Sequence, residues 1–165
     1  IIILRPTFIW GEDSFQLHDL ILRAKKKQFP WIDKGNAMFE HVHVDNVVEA
    51  IIQSLTRGKN KEVYLITNDE PMPAKQFFNE LFHITKTPAP RFSLPSKLVY
   101  PISRWLERIW SQFRLNGRPP LIRFEIEFLS LPRKYNIEKA KDELQYKPLV
   151  TFEEGIRKLA LRARS

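Results

Sequence analysis

The sequence predicts an α/β fold, and three observations carry that prediction. The chain opens on Ile1-Ile2-Ile3-Leu4, a continuous aliphatic run of the kind found in a fully buried parallel strand, and Arg5-Pro6 ends it because proline cannot donate to a ladder. A second buried strand is expected in "EVYLI", residues 62–66. Between them, "FEHVHVDNVVEAI", residues 39–51, alternates as a strand does and then passes into helical spacing with no glycine or proline at the change. Strands interleaved with helical stretches are the pattern of an α/β domain.

The remaining elements follow in order. After the loop "WGEDS", Ser14 to Gln28 reads as a helix with Phe15, Leu17, Ile21, Leu22 and the adjacent Phe29 as its apolar set. Lys25-Lys26-Lys27 falls at its C-terminal end, where cations suit the dipole. In 39–44 the alternation sets Phe39, His41 and His43 on one face and Glu40, Val42 and Val44 on the other. Asp45 or Asn46 is the expected N-cap of the next helix, Glu49 completes a capping box with Asn46, and Val47, Val48, Ile51, Ile52 and Leu55 form its apolar stripe. A helix from about Ala74 has Pro73 near its start and Phe77, Phe78, Leu81 and Phe82 facing the core. "TPAPRFSLP" reads as extended chain.

Ser96 to Leu115 has the longest helical pattern. At about 100° per residue, Leu98, Val99, Ile102, Trp105, Leu106, Ile109, Trp110 and Phe113 fall in one arc of roughly 140°. Arg104, Glu107, Arg108, Ser111 and Arg114 take the other side. "NGRPP" breaks this helix, and Pro119 or Pro120 can open the next, through "LIRFEIEFLSL". A short strand near Tyr135, a helix over Glu138 to Leu144 and a last helix with a Thr151/Glu154 capping box complete the prediction.

Composition narrows the function classes. A chain of 165 residues can form one domain, and its 43% hydrophobic and 12% aromatic content rules out a disordered tail. With no cysteine there is no disulfide, no thiolate nucleophile and no cysteine-bound zinc, which mildly favours a reducing, cytoplasmic setting. The net charge of +8 admits an anionic partner. No RNA-binding or helix-turn-helix signature accompanies it, so a solvated basic face is preferred and nucleic acid is not an expected partner. No apolar run is long enough for a membrane span. The abrupt aliphatic start without a methionine reads as a chain cut from something longer.

Candidate chemistry is sparse. His41 and His43 lie roughly 7 Å apart on one strand face, a spacing seen in metal sites, but His18 and His83 fall in unrelated helices and no third ligand is evident, so no metal is expected. Asp45 beside His43 could orient an imidazole, although capping is the simpler use. Tyr135 and Lys139 have Tyr-x-x-x-Lys spacing across a predicted strand end and helix start, where the two side chains need not share a face, and are read as a chance match. There is no Gly-x-Ser-x-Gly elbow, and with five glycines and no Gly-x-Gly-x-x-Gly the chain encodes no phosphate-cradling loop.

The order of four motifs is more specific than any one of them. "LRPTFIWGEDS", "FEHVHVDNVVEAI", "EVYLITNDEPM" and "YNIEKAKDELQYKPLVTFEEGI" together cover most of the chain, and in this order it resembles the C-terminal half of an extended short-chain dehydrogenase/reductase. Within that group it is similar to the NAD(P)-dependent epimerase/dehydratase family and its 3β-hydroxysteroid, or sterol, dehydrogenase branch. The resemblance implies the C-terminal part of a Rossmann-like domain plus a small mixed α/β substrate-binding lobe, with residues 1–6 and 62–67 as strands of the nucleotide-binding sheet. The N-terminal dinucleotide-binding part, including the glycine-rich loop and the catalytic tyrosine and lysine, would precede residue 1. This portion alone would then be inactive and contribute no catalytic residue.

The resemblance further implies that NAD or NADP approaches Pro6, Thr7 and Phe8, and that Trp10, Phe39, His43, Phe124 and Phe128 line a substrate pocket. Nucleotide-sugar enzymes of the group commonly carry an arginine where Phe39 stands, which favours an apolar, sterol-like small molecule and leaves a nucleotide sugar as the alternative. Gln145 replaces a usual glycine at a helix end, so a different turn is expected there. Two partners stay open: a second copy in a homodimer, and a membrane surface contacted by the Ser96–Leu115 helix as a non-catalytic module. The plainer reading packs that helix's apolar face on the lobe.

Overall fold

A computed structural model describes residues 1–117, 119 and 122–162. The leading run forms β1 (Ile3–Pro6), which pairs in parallel with β6 (Val63–Ile66), Ile3 opposite Val63 and Pro6 opposite Ile66. β2 (Phe8–Trp10) follows at once and pairs in parallel with β5 (His41–His43), Phe8 opposite His41 and Trp10 opposite His43. Each parallel pair is closed by a long crossover, as parallel geometry demands. Two shorter ladders brace the lobe: β3 (Trp31–Ile32) runs parallel to β8 (Ser93–Leu94), and β4 (Met38–Phe39) runs antiparallel to β7 (Met72–Pro73).

Seven helices pack on these strands among the described residues: α1 (Phe15–Lys25), α2 (Val44–Arg57), α3 (Ala74–Ile84), α4 (Ser96–Gln112), α5 (Arg123–Ser130), α6 (Glu138–Leu144) and α7 (Phe152–Arg162). Ser14 caps α1 through its hydroxyl, which accepts from the Leu17 N–H. Phe77, Phe78, Leu81 and Phe82 are all buried along α3, as their spacing predicts. Thr151 and Glu154 form the expected capping box, with Glu154 N–H donating to Thr151 Oγ1 at 3.2 Å and Thr151 N–H donating to Glu154 Oε2 at 2.9 Å.

The core has two parts. One is aromatic, built on Trp10, Phe29, Trp31, Phe39, Phe77, Phe78 and Phe82. The other joins Val42, Ala50, Tyr64, Ile66, Leu144 and Tyr146 between α2, β6 and α6.

Several expectations are corrected. The leading strand is not fully buried: Ile3 is 43% exposed and its burial alternates, because β6 is its one strand partner among the described residues. The stretch 39–43 is not one strand but two, since the chain leaves β7 after Phe39 and joins β2 at His41. Neither Asp45 nor Asn46 caps α2; His43 does, its Nδ1 accepting from the Asp45 N–H at 3.2 Å, while Glu49 accepts from Gln53 instead of closing a capping box. α5 opens at Arg123 rather than at the prolines, with the Arg123 N–H donating to Glu107 Oε1; Pro120 lies outside the described residues. No strand forms at Tyr135. Gln145 keeps the left-handed turn after α6, at φ 55°, and Tyr146 N–H closes it on Ala140 O.

Candidate functional site

The stretch from β5 into α2 is held by a buried amide pair. Asn46 Oδ1 accepts from the Leu149 and Val150 N–H groups at 2.8 and 2.9 Å, and its Nδ2 donates to Asn68 Oδ1 and Val150 O. Asn68 Oδ1 also accepts from His43 N–H at 2.9 Å. Two side chains thus tie α2, the exit of β6 and the chain before α7 together. Sequence reasoning treated Asn46 as a cap and passed over Asn68, although an asparagine inside an apolar helical stretch was a signal for a buried polar contact.

His41 and His43 are both buried and engaged locally. His41 Nδ1 accepts from Trp10 Nε1 at 3.1 Å, and burial pushes its pKa down to about 3, helped by the nearby His43. Burial lowers His43 as well, partly offset by the Asp45 carboxylate at 3.6 Å. Trp10 packs edge-on against both imidazoles, and Gly155 of α7 lies where a Cβ would strike the Trp10 and His43 rings. These groups form a neutral, tightly filled junction.

Beside this junction lies a cavity of about 600 Å³. Phe8 from β2, Phe39 from β4, and Phe124 and Phe128 from α5 form its aromatic wall, with ring centroids 5.2–5.9 Å apart from neighbour to neighbour. Pro6 and Thr7 also line it. Trp10 and His43 do not: Trp10 shares the strand face of Phe8 but lies two residues further along β2, where it packs against His43 and Gly155 of α7 instead of the hollow. Phe15, Phe29 and Phe78 join the wall without having been singled out. The core spacing of Phe78 hid this second role.

The polar groups of the cavity are few and mostly paired. Arg23 of α1 donates through both terminal nitrogens to Glu125 of α5 at 2.7 and 3.2 Å, a two-pronged ion pair that joins the helices across the wall. Arg133 stacks over the Phe128 ring, 5.5 Å from its centroid. Glu40 is buried and accepts a long bond from the Tyr135 N–H, and burial raises its pKa above that of an ordinary carboxylate. Thr7 Oγ1 is buried and has no hydrogen-bond partner among the described residues. The arrangement can enclose an apolar molecule while presenting a small number of oriented polar groups.

Residues 1–95 match the model of the 3-beta hydroxysteroid dehydrogenase/isomerase family. The chain belongs to this family. A 2-alkyl-3-oxoalkanoate reductase of Stenotrophomonas maltophilia is 33% identical over 94% of the chain and 49% of its own length. A 3beta-hydroxysteroid-dehydrogenase/decarboxylase of Arabidopsis thaliana is 30% identical over 94% of the chain and 38% of its own length. The chain spans about half the length, or less, of the curated relatives it matches. Among solved structures, a dTDP-glucose 4,6-dehydratase of Bacillus anthracis superposes on 98% of the chain and 43% of its own, with a TM-score of 0.62 at 17% identity. That likeness establishes the fold. This member of the 3-beta hydroxysteroid dehydrogenase family has the mixed α/β architecture of the C-terminal part of a Rossmann-like short-chain dehydrogenase/reductase.

Proposed function

We propose that this chain is the substrate-binding portion of an NAD(P)-dependent oxidoreductase that acts on a hydroxyl or keto group of an apolar, sterol-like molecule. The observation that carries the reading is the aromatic cavity walled by Phe8, Phe39, Phe124 and Phe128. Its volume falls in the range of small-molecule sites, and its walls reward burial of a hydrocarbon body. Relatives named for sterol and alkyl oxoacid substrates agree with that chemistry.

The alternative, a nucleotide-sugar enzyme, needs cations free to hold a diphosphate. Phe39 is packed among Phe8, Phe77, Phe78 and Phe128, where it can offer no charge. Arg23 is already committed to Glu125, which leaves Arg133, stacked on the Phe128 ring, as the other arginine of the lining.

The residues present suit a nicotinamide cofactor at one edge of the cavity. Pro6, Thr7 and Phe8 line it together, and the buried, unpartnered Thr7 hydroxyl is suited to bond a polar group brought there. The cofactor would supply or accept the hydride. The dinucleotide-binding part and the tyrosine and lysine that move the proton are assigned to a segment preceding residue 1, so this portion contributes the pocket and no turnover of its own.

The test is NAD(P)H-linked turnover by the full-length protein across three substrate sets: sterols, alkyl oxoacids and nucleotide sugars. Oxidation or reduction confined to the apolar sets is expected. Turnover of a nucleotide sugar alone would overturn the reading.

A further inference from the structure

Arg23 and Arg133 both line the cavity, and the structure treats them differently. Arg23 is closed on Glu125 by its two-pronged pair, so its charge is taken up in joining α1 to α5. Arg133 makes no ion pair and no side-chain hydrogen bond among the described residues. The acids of the lining do not reach it. Glu125 is held by Arg23, Asp19 has a partner of its own, and Glu40 accepts from the Tyr135 N–H in a buried setting that favours its neutral form.

Packing and the backbone hold Arg133 in place. Its N–H donates to Met38 O at 2.9 Å, which pins the segment after α5 to β4 beside Phe39. The residue is half-buried, and its guanidinium lies over the Phe128 ring. A guanidinium held by one face keeps its N–H edges free to donate in its own plane. Phe128 packs in turn against Phe8, Phe39 and Phe124, so the cation is fixed to the same aromatic wall that would enclose a hydrocarbon body.

We propose that Arg133 sets specificity by holding a carboxylate of the substrate, so that the molecule taken by the cavity is an apolar oxo or hydroxy acid. This rests on the reading of the cavity as the substrate site. A carboxylate offers two oxygens that match the arginine fork, and its single charge is one that a single arginine neutralises. A diphosphate brings more charge than that, and Arg23 is not available to share it. Apolar surroundings strengthen such a pair relative to water. A neutral molecule of the same shape would fill the walls equally well and leave the guanidinium without a partner, so Arg133 separates an acid from its neutral analogue.

The experiment measures NAD(P)H-linked turnover by the full-length protein on medium-chain oxo fatty acids, each paired with its methyl ester. Wild type is expected to favour the acid by about tenfold or more in kcat/KM, through KM rather than kcat. Arg133→Met should bring the ratio of acid to ester close to one, with turnover of the ester reporting a folded enzyme. Arg133→Lys, which keeps the charge and loses the fork, should lower the ratio severalfold and retain part of the preference. Equal use of acid and ester by wild type would overturn the inference, as would a ratio unchanged in the variants. Turnover of neutral sterols with neither member of the pair accepted would overturn it and leave the reading of the cavity standing, whereas turnover of nucleotide sugars alone would overturn both.

Discussion

The aromatic lobe and the β1–β6–α2 side treat their apolar residues differently. In the lobe, rings from β2, β3, β4, α3, α5 and α7 close on one another beside the cavity. On the other side the inner layer is equally dense, with Tyr64, Ile66, Leu144 and Tyr146 buried, yet the outer row stays open: Ile3 on β1 and Val48, Ile51, Ile52 and Leu55 on α2 are exposed, Leu55 to 80%. The difference separates two uses of apolar surface. The lobe's surface closes around a cavity, which in the proposed enzyme holds the substrate. The open row is suited to seat another protein layer, which in the proposed enzyme is the dinucleotide-binding part.

The largest expected effect lies where the two regions meet. Asn46→Ala removes four hydrogen bonds and strands the buried Val150 N–H and the part-buried Leu149 N–H, so it should cost about 3 kcal/mol or more in urea denaturation. A loss below about 1 kcal/mol would mean that the two halves of the core do not depend on this joint. Next, Phe39→Ala should cost about 3 kcal/mol, as for other aromatic truncations in a closed core, whereas Leu55→Ser should change the stability of this portion by less than about 0.5 kcal/mol. In the full-length protein Leu55→Ser should weaken packing of the two halves, read as easier proteolysis between them. Equal costs for the two substitutions would erase the contrast.

The histidine junction gives an effect of intermediate size with a definite sign. His41 is neutral when buried, and its pKa is lowered from 6.5 to about 3. The unfolded chain takes up a proton below about 6.5 and the folded chain does not until about 3, so this contribution is intact above 6.5 and is lost as pH falls. His43, also lowered by burial, acts in the same direction. Glu40, raised by burial, has the opposite sign and acts within the same range, above its unfolded value of 4.5, but it is common to wild type and variant and so drops out of their comparison. Thermal melts in the window between 6.5 and 4.5 should therefore show wild type losing stability with acid and His41→Gln losing less. Parallel curves would count against the buried neutral imidazole. A small effect of opposite sign is expected at Gln145, where relief of the left-handed strain in Gln145→Gly should stabilise by about 0.5–1 kcal/mol.

What the sequence made legible was what periodicity encodes. The fourfold stripe of α3, the capping box of α7 and the aliphatic run of β1 could each be read from residues a few positions apart. The ladders β3–β8 and β4–β7 could not, because two residues show no period and their partners lie far along the chain. The same limit shaped the site. Phe8, Phe39, Phe124 and Phe128 were chosen as aromatics near motifs and do line one cavity, but Trp10 and His43 were chosen on the same ground and face the core. The break between Phe39 and His41, where the chain changes partners, is set by tertiary pairing and has no local marker. Asn46 in place of a cap is the same lesson in polar form: one asparagine looks alike at a helix end and at a buried crossing.

The most direct test of the central claim is a titration of the folded chain with an apolar ketone, followed by nuclear magnetic resonance, for wild type and for Phe124→Glu with Phe128→Ser. The account predicts saturable binding that perturbs the signals of Phe8, Phe39 and Phe128, and an affinity about tenfold or more weaker in the double variant. Binding that leaves those rings undisturbed, or an affinity unchanged by the two substitutions, would contradict it.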